Sequence, residues 1–390
     1  MSDFKKSIRT GALIGAAAGV AWLVGRRYLR EESKLIDWGH VRRVALATCR
    51  QSLVGMPFSK RVLAAHYAEM VRQSEGPITE YTGKALPHPL RSVFVFDRVD
   101  WIDANISSFE LLFEPFEKMN QSALSGSAVS AKVMGSLNKV IISGQMGLLL
   151  GYLAQRVLGQ YDLSLLGREP ITAGRLYFVE PNIRELQHRL SLDPRQFRMW
   201  IVLHETTHAY EFEANTWLRG YMNSLLMRYF ETISSDFSRM KSDSFGLRTL
   251  ADRINANLFS SSNILELMMT HEQRHIFNQL QALMCLLEGY SNHIMQAVGE
   301  SILPSYDYLK ERFDERGKNK STAERLFAKL TGLEMKLEQY ALGEQFVNDV
   351  VRRRGIGFMN RVWDSPLSLP TMDEVRSPGK WIERMEKMAA

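Results

Sequence analysis

Cysteine is almost missing from this chain. Its 390 residues hold only Cys49 and Cys285, and no CxxC pair occurs. That excludes a disulfide framework and a cysteine-built metal site. No clean apolar run of about 18 residues occurs either, which excludes a polytopic membrane protein. Proline (12) and glycine (26) are too few for a collagen-like or linker-dominated chain. Charge of one sign is not concentrated. Lys and Arg number 49 against 43 Asp and Glu, for a formal net charge of +6 and a pI near 9.2. Nucleic acid needs a denser positive footprint than short runs such as Arg352, Arg353 and Arg354, so it is not an expected partner. No internal repeat or low-complexity tract is present. What remains is 45% hydrophobic and 24% charged residues, the balance of a globular protein with a substantial core.

Residues Gly11 to Gly25 are wholly apolar, with Lys5, Lys6 and Arg9 before them and Arg26, Arg27 and Arg30 after. Gly11, Gly15 and Gly19 share one helical face, which permits close helix contact. Fifteen residues rise about 22 Å as a helix, short of a hydrocarbon core of about 30 Å. Arg after the run also argues against a cleaved signal. Two readings stay open: a short buried or fraying helix, or a membrane-touching anchor whose basic ends snorkel. The expected organisation is therefore 1–33, an apolar segment and polar break, then 34–390 as one domain. The expected location is cytoplasmic, with possible membrane contact through residues 11–25.

From Leu35 onward helical periodicity dominates. Helices are expected over 35–54, over 58–74 with a stop at Gly76-Pro77, and over 101–119. Residues 93–96 form a short β-type run. The small-residue stretch 133–158 reads as a central core helix, since Lys139, Gln145 and Gln155 interrupt it. Arg175 to Glu180 alternates between Gly174 and Pro181 and reads as a strand, with an edge able to pair an extended substrate. Asp193-Pro194 opens the next helix, with Gln196 placed to complete a capping box. A later helix is expected over 272–298, and more helix over 306–343. The tail after Gly357 is expected to pack on the surface as irregular structure. The fold class is mainly α with a small β-sheet.

The informative segment is MWIVLHETTHAYEFE, residues 199–213. His204, Glu205 and His208 form HExxH within it. Residues four apart on a helix lie about 6 Å apart along the axis and near one azimuth. Both imidazoles therefore project from one face and can bind one metal ion. Zinc suits two neutral nitrogens plus a carboxylate, with a fourth position left for water. Glu205 is then placed as general base toward that water. A second match, His271, Glu272 and His275, lies at a helix start with charged Arg274 inside it. It reads as a solvated helix end. Gly and His do not follow at the metzincin spacing, where Glu211 and Ala214 stand.

Glu288 is the best candidate for a third ligand. It directly follows the apolar run 282–287, and a buried carboxylate needs a partner. The bland alternative is a carboxylate at a helix bend eased by Gly289. Asn292, one turn on, is a candidate hydrogen-bond partner for a ligand histidine. Glu211 and Glu213 are weaker candidates for the same task. Tyr290 and His293 are candidate oxyanion donors, but neither shares the face of Glu288.

Several long blocks resemble the zincin-like metallopeptidases of bacteria, a family often labelled by association with deazaflavin-coenzyme biosynthesis. They are HETTHAYEF, QRHIFNQLQALMCLLEGYSNHIM, GLLLGYLAQRVLGQYDL and KLEQYALGEQFVNDVVRRRGIGFMNRVWDSPLSLPTMDEV. The resemblance runs from about Leu35 to the C-terminus. It implies a mostly helical unit with a zincin-type active helix, His204 and His208 as ligands, Glu205 as base and Glu288 as third ligand. The family commonly carries an acid where Asn292 stands. The expected function is a gluzincin-like zinc metallopeptidase with one zinc ion and a peptide or protein substrate. The alternative is a non-catalytic, metal-stabilised helical module tethered to a membrane by its N-terminus. Four protein ligands would favour that alternative, and three with an open position would favour catalysis.

Overall fold

The computed structural model describes residues 36–49, 58–124, 129–161, 174–242, 269–318 and 333–388. The apolar segment expected over residues 11–25 lies outside them. In chain order the elements are α1 (Trp38–Thr48), α2 (Lys60–Thr82), β1 (Ser92–Phe96), α3 (Arg98–Leu124), α4 (Val129–Leu153), β2 (Gly159–Tyr161) and β3 (Arg175–Val179). Then come α5 (Glu180–Leu190), α6 (Pro194–Glu213), α7 (Trp217–Ser242), α8 (His271–Ile302), α9 (Tyr306–Lys318), α10 (Leu333–Arg354), α11 (Ile356–Met359), α12 (Met372–Arg376) and α13 (Pro378–Lys387). The chain is thus mainly helical with one small mixed sheet, as its periodicity indicates. It divides into two units: Met1–Gln51 with Arg98–Arg156, and Ser52–Asp97 with Val157–Ala390.

The first unit is built on a close helix pair. Gly147 and Gly151 of α4 lie against α1, where added Cβ atoms would stand 2.7 Å from the Val41 carbonyl and 2.6 Å from that of Ala45. The other side of α4 is open, with Val140 and Ile141 each 56% exposed. The expected central core helix is therefore closely packed against its neighbour on the glycine face, while Val140 and Ile141 are exposed. Small residues dictate how near a neighbour comes, not how many neighbours there are.

The cytoplasmic, membrane-touching placement expected from the N-terminus is corrected. Among the described residues no helix is long and apolar enough to cross a membrane. Even α4, rich in Val, Ile, Leu and Gly, is broken by Lys139 and commits its glycine face to α1.

The second unit carries the sheet, in the order β1-β3-β2. β1 runs parallel to β3, with Ser92 opposite Arg175, and β2 runs antiparallel to it, with Tyr161 opposite Leu176. Both sides of β3 are therefore occupied, and the expected substrate-pairing edge is not there. β3 ends one residue early, because Glu180 opens α5 instead. Glu180 is fully buried at this junction. It accepts from Tyr67 of α2 at 2.8 Å, Arg184 at 2.7 Å and Arg198 of α6 at 2.5 Å. A buried carboxylate with three donors ties these elements together around the sheet's end.

α2 does not stop at Gly76-Pro77 but runs on to Thr82 and ends at Gly83 in the left-handed region (φ 67°). Pro77 removes one backbone hydrogen bond, yet Gly76 has no Cβ to meet the pyrrolidine ring. Ile78 and Thr82 then extend the buried face begun by Tyr67, Val71 and Ser74. Packing of that face outweighs the local breaker. At the other end of the chain, the tail forms short helices with Trp381 fully buried and its indole N–H donating to the Ser368 carbonyl. It packs into the core, not on the surface. α8 also passes its expected end, because Gly299 sits under the Tyr306 ring, with no room for a Cβ (2.6 Å).

Candidate metal centre

The side chain of Asp193 accepts from the N–H groups of Arg195 and Gln196, and Pro194 supplies a pre-set first turn for α6. Gln196 does not complete a capping box. Its side-chain oxygen accepts from Ser305 N instead. The helix runs through the core, with Ile201, Val202 and Leu203 buried. Thr206 and Thr207 are buried too. They are satisfied by Ser74 Oγ (3.3 Å) and by the Leu203 carbonyl (2.8 Å). Such uncharged residues suit a core helix where charged ones would not.

His204 and His208 project together toward α8. Their Nε2 atoms lie 3.3 Å apart, and His204 Nε2 lies 3.7 Å from Glu288 Oε2. One ligand atom from each of the three residues falls within 4.8 Å of the others. Among the described residues no fourth His, Cys, Asp or Glu joins that group. On the far side of His208, Nδ1 meets Glu211 Oε2 at 2.8 Å and Ser291 Oγ at 3.0 Å. Ser291 also donates to Glu211 Oε1 at 3.3 Å. With Nδ1–H given to a carboxylate, the Nε2 lone pair of His208 is turned inward, toward His204 and Glu288.

Charge at the site asks for a cation. Burial, helped by His208, pushes the His204 imidazole down to about 3, so it is neutral and free to donate its lone pair. Burial works against a charge on His208 also, but the bonded Glu211 carboxylate, with Glu288 and Glu205 nearby, holds it well above the usual imidazole range. Burial pushes the Glu205 carboxyl up to about 7, opposed by His208 and by a hydrogen bond from the Tyr161 backbone. Glu205, Glu211 and Glu288 thus surround two imidazoles. The carboxylates that favour a proton on His208 favour any cation in its place. Two imidazole nitrogens and a carboxylate oxygen are the donor set of a catalytic zinc site, so the residues fit that ion.

Glu211 is a stronger partner than its place in the sequence indicates. Three residues beyond His208 it lies near that face, and its place between the apolar residues Tyr210 and Phe212 is the signal that marks it. Glu211→Gln keeps the shape but removes the charge holding Nδ1–H. Zinc affinity should fall about 10- to 100-fold, read by competition with a chromogenic chelator. Unchanged affinity would show that His208 needs no such support.

Comparison with known proteins fits this arrangement. The model of the zincin-like metallopeptidase family matches residues 36–382. The chain belongs to that family. It is also similar to a crystal structure from Chloroflexus aurantiacus described as a "putative hydrolase with a novel fold". The two share 41% identity over 90% of this chain and 99% of the other, with a TM-score of 0.64. No curated protein matches the chain.

Other expected residues of this zincin-like chain lie elsewhere. Asn292 makes no hydrogen bond to His204 or His208; Ser291 and Glu211 make those contacts to His208 instead. Tyr290 is buried and donates to Asn360 Oδ1 at 2.7 Å. His293 sits between Tyr81 (2.7 Å) and Asn348 (2.6 Å). Glu213 bonds Tyr161 and Arg219. The second match, His271, Glu272 and His275, is exposed on the first turn of α8, where Thr270 and Gln273 form a capping box. α8 is continuous from His271 to Ile302, so the helix does not break at Gly289 next to Glu288.

Proposed function

We propose that this chain is a gluzincin-like zinc metallopeptidase that hydrolyses a peptide or protein substrate. The observation that supports this most is the convergence of His204, His208 and Glu288, with Glu205 on the same helix beside the first ligand. His204 and His208 would hold one zinc ion through Nε2, and Glu288 through a carboxylate oxygen. A bound zinc supplies Lewis acidity, polarising a scissile carbonyl and acidifying water. Glu205, which is not among the ligands, accepts the proton of the attacking water and returns it to the departing amine. A carboxyl raised by burial suits both halves of that exchange, because the ideal acid–base catalyst titrates near working pH. Glu211 and Ser291 keep His208 in one tautomer and one orientation. Among the described residues three protein donors converge and leave a position for substrate, which favours catalysis over a purely structural ion.

The test is direct. The full chain, loaded with one equivalent of zinc, is assayed against a library of fluorogenic peptides. A chelator should remove cleavage and zinc should restore it. Glu288→Ala should fail to retain zinc through gel filtration. Cleavage that ignores the chelator, or a Glu288→Ala protein that keeps its zinc, would refute the proposal.

A further inference from the structure

β2 is only three residues long, too short to hold itself in place by ladder hydrogen bonds. Its position comes from α6 and α7. The Tyr161 ring stacks on Phe212, with centroids 5.5 Å apart and planes 18° apart. The Tyr161 hydroxyl donates to Glu213 Oε1 at 2.5 Å and accepts from Arg219 at 2.9 Å. Arg219 also reaches Glu213 at 3.3 Å. Gly174, at the start of β3, completes the enclosure. A Cβ there would stand 2.7 Å from the Tyr161 ring and 3.0 Å from Glu213 Oε1.

The strand so held faces Glu205. The backbone N–H of Tyr161 donates to the Glu205 carboxylate. Gly159 lies on the same side of the strand as Tyr161, since residues two apart share a face. A Cβ at Gly159 would stand 2.6 Å from Glu205 Cγ and 2.8 Å from its Oε1. The strand therefore leaves room for one path of the Glu205 side chain, and ends that path with a donor. An apolar ring alone would dock the strand. The polar grip of Glu213 and Arg219 adds direction, because it fixes where the hydroxyl lies and so how the residue is turned.

We infer that Tyr161, gripped by Glu213 and Arg219, is a positioning residue for Glu205, with Gly159 as the gap that admits its side chain. The inference rests on Glu205 being the proton acceptor of the proposed hydrolase. Tyr161 touches neither substrate nor metal in this role. It acts by holding the base in one rotamer, the kind of supporting contact on which a near-attack geometry depends.

The experiment uses the full, zinc-loaded chain and follows backbone amides by NMR. The Tyr161 amide should be protected from exchange, and Glu205→Ala should speed its exchange about tenfold or more, since a bond to a carboxylate is lost. Gln160, opposite Tyr177 in the ladder with β3, should not change. Gly159→Ala should release the Tyr161 amide likewise, leave zinc affinity unchanged, and lower kcat on a fluorogenic peptide about 100-fold with little change in KM. Tyr161→Phe, which keeps the stack on Phe212, should lower kcat in the same way and to a lesser degree. If Gly159→Ala does not fold, the Glu205→Ala comparison still decides. A Tyr161 amide that exchanges equally fast in parent and Glu205→Ala overturns the inference, as does a Tyr161→Phe enzyme with parental kcat. A fully active Glu205→Gln enzyme would remove the hydrolase reading and the purpose of the grip with it. A Tyr161 amide insensitive to Glu205, next to an inactive Glu205→Gln enzyme, would overturn the grip alone.

Discussion

Glu205→Gln is expected to keep its zinc and to lose turnover by about 10²- to 10⁴-fold, the range a general base supplies. The substitution replaces one carboxylate oxygen by an amide nitrogen of similar size. Gly159 still has room for it, and none of the three converging donor atoms changes. What is lost is the capacity to take a proton. Zinc content per chain, measured after gel filtration, separates this from a collapsed site. Peptide turnover then isolates the proton step. The acid side of the pH profile supplies a second readout. Glu205 must be ionised to accept a proton, so parental activity should fall as pH drops through the titration of that carboxyl. The residual activity of the variant should lack that limb. A variant with full turnover would assign the base to another group.

Gly343→Ala is expected to be the most damaging single methyl in the second unit. α8 and α10 cross with their backbones in contact. A Cβ at Gly343 would stand 1.9 Å from the Cys285 carbonyl oxygen, and one at Gly289 would stand 2.2 Å from the Gly343 carbonyl carbon. Both obstacles are backbone, so no rotamer change can relieve them. The helices must separate, and forced overpacking of a core costs about 1–3 kcal/mol, here at the upper end or beyond. The effect should reach the metal as well. Glu288 is the residue before Gly289, so shifting α8 moves the carboxylate away from the imidazoles. Denaturant unfolding should show a lower midpoint, and chelator competition a weaker zinc affinity. Gly220→Ala is the control. Gly220 is exposed, within α7, with no atom within 4 Å of an added Cβ. It should be neutral or stabilising by up to about 1 kcal/mol. Equal stability of the two variants would contradict the close crossing.

What was legible in the sequence was local. The α6 start was readable because Asp193 and Pro194 cap it through neighbours one to three residues away. The shared face of His204 and His208 was readable because a helix sets the azimuth of residues four apart whatever surrounds them. Glu288 stood out because it follows a run too apolar to be solvated. The dismissal of His271 and His275 was readable from a charged neighbour and a helix start.

Other features needed partners far away in the chain. β3 reads the same whether central or at an edge, and only the three-residue β2, too short to register as a strand, makes it central. Pro77 reads as a stop, and only the buried face continued by Ile78 shows why the helix goes on. Trp363 and Trp381 read as a surface tail, and their burial appears only with the helices around them. Glu211 reads only as a weak candidate until Ser291, 80 residues later, and the buried face of α6 enclose it.

The amino-acid sequence by itself determined the helical class, the register of His204, Glu205 and His208 on one helix, and the choice of Glu288 as their partner. Backbone geometry within one turn is enough for the first two, and the cost of burying a lone carboxylate for the third. Only the tertiary structure decided that Glu211 bonds His208, that Gly159 stands against Glu205, and that α8 and α10 cross backbone to backbone at Gly289 and Gly343. Those contacts join residues that spacing leaves unrelated, and they exist because the packed core leaves each of these groups one place to go.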